Sequence, residues 1–193
     1  MARTKEFNED QALDKAIEIF WHKGYNGTSA QDLVDHLGLS RSSLYDTFGD
    51  KQKLFVKSLK RYQQQGQSYV IESLEKSENI KTALTEIFKQ AVIESLEDRI
   101  TQGCFMVNSA VELAMHDAEI AKVVADNQKV MEEVFYKAVK KGQDSGHIST
   151  KMEARLLARF IFNNYSGIRV LARGGEKDKQ VYDDILKAMF SLF

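Results

Sequence analysis

The chain has 193 residues, 43% of them hydrophobic and 28% charged, with a formal net charge of −1. That hydrophobic share supplies a core for one large or two small domains, and no apolar run reaches the ~18 residues of a membrane span. A single cysteine excludes an internal disulfide framework, and the balanced charge excludes a chain that coats nucleic acid by bulk attraction. The opening residues MARTKEFNEDQ lack the apolar stretch of an export signal. A reducing cytoplasmic location without a membrane partner is therefore expected.

There is no proline, so helices can run long, and Gly, Asn and Ser supply the punctuation. No repeat, low-complexity segment or convincing strand alternation interrupts them. The first predicted helix covers about 9–23, with Ala12, Leu13, Ala16, Ile17, Ile19 and Phe20 at three-to-four spacing and Gly24 as its stop. Two short helices follow, at about 29–37 and 41–48. Leu33, Val34 and Leu37 form the apolar face of one, and Leu44 and Phe48 that of the other. Gly38 sits in the tight turn between them and Ser40 caps the second. This leaves Arg41, Ser42, Ser43, Tyr45 and Thr47 on the remaining faces, side chains suited to phosphate and base-edge contact in a major groove. The pattern reads as a helix-turn-helix, or as a plain helical hairpin of an all-α domain.

A fourth helix begins at Asp50 and passes Gly66, a weak point, towards Leu74. A fifth covers about 80–97. A break at RITQG precedes a sixth at about 104–115 and a seventh at about 117–143, capped by Asp117. DSGHIST is a loop. The eighth helix covers about 151–172, Gly174 and Gly175 end it, and a ninth covers about 178–192.

Several ordered pieces at fixed spacing resemble the N-terminal domain of TetR-family transcriptional regulators over residues 12–61. They are Phe20 to Gly24-Tyr25, Thr28-Ser29, Gly38-Leu39-Ser40, Ser43-Leu44-Tyr45 and Phe48-Gly49-Asp50-Lys51. Beyond them, GCFMVNSAVELA and GIRVLARGG are similar to one branch of the family. The resemblance implies an all-α fold of about nine helices. Residues 1–50 would form the DNA-binding domain, and 51–193 a ligand-binding and dimerisation domain joined to it through the fourth helix. It also implies a homodimeric regulator of double-stranded DNA, most often a repressor on a palindromic operator, released by a small and largely apolar inducer. Activators share this fold.

Carried over by position, the DNA contacts are Thr28, Arg41, Ser42, Ser43, Tyr45, Thr47 and Lys51, with Arg41 as the base reader. Arg3 and Lys5 in an N-terminal arm, and Lys53, add phosphate contacts. Asp46 and Thr47 depart from the family pattern: a carboxylate there repels phosphate, and Thr47 stands where His or Tyr is frequent. The inducer pocket is expected between the fifth, sixth, seventh and eighth helices. Its candidate residues are Phe105, Met106, Asn108, Ser109, Glu112, Phe135, Phe160, Asn164 and Tyr165, an apolar set with a few polar anchors.

Cys104 follows Gly103 at a helix start, where the dipole favours a thiolate. It is either a small half-apolar residue or, by resemblance to some relatives, a sensor of electrophiles or oxidants. Val181, Ile185 and Met189 in the ninth helix and Leu157, Ile161 and Ile168 in the eighth form apolar stripes. Such stripes can face their own core; the family resemblance implies instead that they pair with a second copy across a two-fold axis. No HExxH, P-loop or GxSxG pattern and no Cys/His cluster occurs, so neither catalysis nor a metal or cofactor is expected.

Overall fold

The computed structural model describes residues 7–97 and 103–193, and within them the chain forms nine helices. These are α1 (Glu9–Gly27), α2 (Ala30–Leu37), α3 (Arg41–Phe48), α4 (Lys51–Glu75), α5 (Ile80–Leu96), α6 (Phe105–Leu113), α7 (Ala118–Asp144), α8 (Ala154–Arg173) and α9 (Lys179–Phe190). Arg3, Lys5 and most of the RITQG break lie outside the described residues. No described helix is long and apolar enough to cross a membrane.

Without proline, polar side chains set the helix starts. The side chains of Asn8, Ser29, Ser40, Asp50, Asn79, Asp117, Glu153 and Asp178 each accept a bond from a backbone N–H in the first turn that follows. Ser29 and Asp32 complete a reciprocal capping box at the start of α2. Cys104 holds the equivalent position before α6 without a side-chain capping bond. The turn between α2 and α3 closes on Gly38, whose φ of 69° only glycine adopts readily.

Gly24 behaves differently from a simple stop. The backbone leaves helical geometry there (φ 76°, ψ 171°) and then resumes one more turn to Gly27. Gly66, by contrast, neither kinks nor ends α4, which runs unbroken for 25 residues.

The buried residues fall into two clusters. One joins α1, α2, α3 and the first half of α4 to α6 and the start of α7, through Phe20, Leu33, Leu44, Phe48, Phe55, Phe105 and Leu113. The other joins the end of α4 to α5, the rest of α7, α8 and α9, through Val70, Phe88, Phe135, Leu157, Ile161 and Tyr182. The α1–α3 segment therefore does not close its core alone: α6 completes it.

The apolar stripes of α8 and α9 divide between core and surface. Leu157, Ile161, Ile168 and Met189 are all buried within their own chain. The outward stripe of α8 is instead Leu156, Phe160, Asn163, Gly167 and Val170, of which Leu156 is 54%, Phe160 40% and Val170 51% exposed. On α9, Val181 and Ile185 are half-buried, and Leu192 just beyond the helix is exposed.

Gly66 offers a direct test of helix energetics. It sits mid-helix at no unusual φ, and a Cβ built on it meets nothing within 4 Å. Gly66→Ala is expected to stabilise the fold by about 0.5–1 kcal/mol through the lower entropy of the unfolded chain. Urea denaturation reads this, and an unchanged or lowered midpoint would contradict it.

Candidate DNA-reading surface and ligand cavity

On α3, Arg41 and Ser42 are exposed, Ser43 and Thr47 are half-exposed, and Leu44 and Phe48 point into the core. Ser40 Oγ accepts from the Ser43 N–H at 3.1 Å and donates to Ser43 Oγ at 2.8 Å, so the serines at the helix start form one local network. Tyr45 lies partly against the core cluster, with one side left open. Asp46 is an exposed charge.

Thr28 does not face outward. It is 1% exposed and its hydroxyl donates to the Gly24 carbonyl at 2.6 Å, so it closes the kinked end of α1. The exposed hydroxyl at the start of α2 belongs to Ser29. Its role is a cap, a signal visible in the Ser-x-x-Asp spacing of residues 29–32. Lys51 lays its ammonium over the Tyr25 ring, 4.3 Å from the centroid. Burial lowers its pKa, against the opposing pull of the Glu112 and Asp32 charges.

Polar clamps and ring contacts tie this segment to the rest of the chain. Arg61 on α4 holds Asp14 on α1 through Nε at 2.6 Å and Nη2 at 2.8 Å, and reaches Asp10 at 3.0 Å. The Arg61 hydrogen bond, working against burial, holds the Asp14 carboxyl below its usual range. Glu112 on α6 accepts the N–H groups of Tyr25 at 3.1 Å and Asn26 at 2.8 Å, clamping the last turn of α1. Between these bonds, aromatic rings interlock. Phe55 of α4 stands edge-on to Phe20 at 5.0 Å, Tyr25 at 5.1 Å and Phe105 of α6 at 5.3 Å, and Tyr62 of α4 meets Trp21 at 5.0 Å.

Tyr62 also borders a cavity of about 430 Å³ enclosed by α4, α6, α7 and α8, within the size range of small-molecule sites. Its walls are Gly66, Gln67 and Val70 from α4, Met106, Val107, Ala110 and Val111 from α6, Val124, Asn127 and Met131 from α7, and Phe162, Tyr165 and Arg169 from α8. Of the expected pocket residues, the structure brings Met106 and Tyr165 to this cavity, together with Cys104.

The others lie elsewhere. Phe135 is buried beneath the cavity against Phe162 and Tyr165. Phe160 faces outward, and the Asn164 amide donates to the Phe160 carbonyl on that same outer side. Phe105, Asn108, Ser109 and Glu112 border a separate surface groove against α1. α4 thus replaces α5 as the fourth wall. Tyr62, Gly66 and Val70, spaced four apart, carried that signal, as did Arg169 set four residues after Tyr165 on an apolar helix.

Cys104 is half-buried, and the Tyr62 hydroxyl donates to its sulfur at 3.6 Å. Burial raises the Tyr62 pKa well above its ordinary value, so that phenol stays a neutral donor.

A helix-turn-helix head sharing its core with a helical domain around a partly open cavity is the architecture of a DNA-binding regulator, and comparison with known proteins agrees. The model for bacterial regulatory proteins of the tetR family matches residues 12–57, and that for the tetracyclin repressor-like C-terminal domain matches residues 81–189. Among curated proteins, the HTH-type transcriptional regulator YezE of Bacillus subtilis (strain 168) is 35% identical over 174 residues, covering 90% of each chain. The HTH-type transcriptional repressor ComR of Escherichia coli (strain K12) is 30% identical over 175 residues, covering 90% of this chain and 83% of its own. Among solved structures, a cysteine-substituted CifR bound to 26-bp double-strand operator DNA superposes with a TM-score of 0.86 at 22% identity, covering 100% of both chains. The chain belongs to the TetR family of DNA-binding transcriptional regulators, a family of regulators rather than enzymes.

The Glu112 clamp carries a prediction of its own. Glu112→Ala removes the acceptor of two N–H groups at the end of α1 and is expected to cost about 1–3 kcal/mol of stability. Hydrogen exchange should then speed up selectively at Tyr25 and Asn26. Exchange unchanged at those amides would show that the clamp is idle.

Proposed function

We propose that the chain is a ligand-responsive repressor that binds a near-palindromic operator as a homodimer and releases it when a small molecule fills the cavity. The observation that carries this reading is the placement of the cavity. It lies between α4 and α6, the two helices that hold α1 through Arg61, Glu112 and the aromatic rings. A ligand that spreads those walls moves the reading head. DNA and ligand then favour different arrangements of the dimer, and each weakens the other's binding by the same coupling energy, typically ~1–3 kcal/mol. Repression follows the relatives described as repressors, and operator binding follows CifR in its complex with DNA.

In this reading Arg41 reads a base edge, Ser42, Ser43, Tyr45 and Thr47 position α3 in the groove, and Lys51 sits near the phosphates. Selection of bound duplexes from a random pool at fixed salt should return a near-palindrome. Arg41→Ala should weaken binding to that duplex by about 1–3 kcal/mol and relax the preference at one position of each half-site. Recovery of no common motif by the folded protein would remove the sequence-specific reading.

The outward stripe on α8 supports the homodimer. Leu156, Phe160, Asn163, Gly167 and Val170 repeat at alternating spacings of four and three, the seam along which two helices pack. Exposed apolar side chains in a line are costly to leave in water. Leu156→Glu places a charge on that seam and should convert the dimer to monomer in sedimentation velocity, with operator affinity falling in step. Retention of the dimer would move the interface elsewhere.

A further inference from the structure

We propose that the cavity selects an anionic ligand: a small carboxylic acid whose carboxylate meets Arg169 and whose apolar body lies among Val70, Val124, Met131 and Phe162. This rests on the reading of the cavity as the inducer site and names the class of molecule it takes.

The charged side chains on the cavity wall are Arg159 and Arg169, and no aspartate or glutamate of the described residues lines it. Arg159 is largely outside, paired with Glu132 at 3.1 Å. Arg169 is different: its side chain is 12% exposed, so its charge is held largely out of water. Its Nη2 donates to Glu94 at 3.0 Å and to the Tyr165 hydroxyl at 3.1 Å. Among the described residues, Nε and Nη1 have no hydrogen-bond partner. Glu94 is on α5 and borders the neighbouring hollow, not this cavity. The guanidinium is thus neutralised from one side only.

A neutral ligand that displaced water from the cavity would leave that second side dry and unpaired, which is costly. A carboxylate matches the planar fork of the guanidinium and restores the lost hydrogen bonds. The nearby Tyr62 phenol, kept neutral by burial and donating to Cys104 Sγ, brings no negative charge to the cavity. A cationic ligand meets two arginines and no acid. The remaining walls are mostly apolar side chains and amides, with the Ser166 hydroxyl, the Cys104 thiol and two phenols, which fits an acid with a compact hydrocarbon or aromatic body rather than an inorganic anion.

The test is isothermal titration of the full chain with 4-phenylbutanoate and with its neutral amide, near neutral pH, alongside operator release by each. The acid should bind about tenfold tighter than the amide or more, the scale of one charge-assisted pair. Arg169→Gln should abolish the difference. Glu94→Gln keeps Arg169 but removes its internal counterion, and should tighten the acid selectively, a gain that loss of folding cannot produce. Equal affinity for acid and amide, a preference that survives Arg169→Gln, or no binding of either probe overturns the anionic class. Operator release by the amide alone also overturns it while leaving the inducer site intact. Tight acid binding that never releases operator supports the anionic site and removes the inducer reading instead.

Discussion

The structure depends on one shared core. Residues of α1–α3 are too few to bury their own aromatic faces, and small helical units gain stability only by finding more surface to cover. Here Phe105 of α6 packs edge-on against Phe55 and Tyr62 of α4, while Phe20, Trp21 and Tyr25 of α1 close the cluster from the other side. Each such pair contributes about 0.5–1.5 kcal/mol beyond the area it buries. α6 thus completes the buried cluster on which α1, α2 and α3 also rest.

That arrangement gives Tyr62 two roles. Its ring belongs to the shared core and its edge belongs to the cavity wall. Four residues later on the same face, Gly66 withholds a side chain and so leaves the volume open. The intrinsic helix penalty of a mid-helix glycine is therefore set against an empty space large enough for a ligand. α4 stays continuous through this point, joining the cavity wall at Tyr62 and Val70 to the helix start after Asp50.

Most of the helical layout was legible in the sequence because the signals are local. Ser40, Asp50 and Asp117 were readable as caps, and each makes the expected backbone bond. Leu33, Leu44 and Phe48 were readable as inward positions from spacing alone, and all three are buried. What spacing could not decide was which of two apolar stripes on one helix faces home. In α8 both the 157–161–168 set and the 156–160–163–167–170 set repeat at helical intervals. The first wins the core because α5 and α7 flank it, a fact of tertiary packing that periodicity does not carry. The inward turn of Thr28 was hidden for a related reason: the residue before the cap looks like a helix-start hydroxyl, and its bond to the Gly24 carbonyl at the kink leaves no spacing signal. The cavity walls drawn from α4 were missed by a reading that put the fourth helix in the ligand-binding domain yet sought the pocket between the fifth, sixth, seventh and eighth helices.

The two kinds of contact at the junction have different mechanical properties. Aromatic packing is weakly directional and tolerates small slides between α1, α4 and α6 with little loss. The Glu112 bonds to Tyr25 and Asn26, and the paired Arg61–Asp14 contact, are directional and weaken steeply with angle. A displacement of α6 by a fraction of an ångström therefore leaves the hydrophobic core closed while straining the polar clamp at the end of α1. Gly24 makes that strain local. With φ at 76° and a Cβ position only 2.9 Å from Glu112 Oε2, it is a site where no other residue fits without moving the carboxylate. The backbone there is already outside helical geometry, so the last turn of α1 can rotate without unwinding the helix before it. The α1–α3 segment is thus held by a weakly directional core and by a directional clamp, and under the proposed ligand response a change in cavity occupancy would reorient α3 without unfolding it.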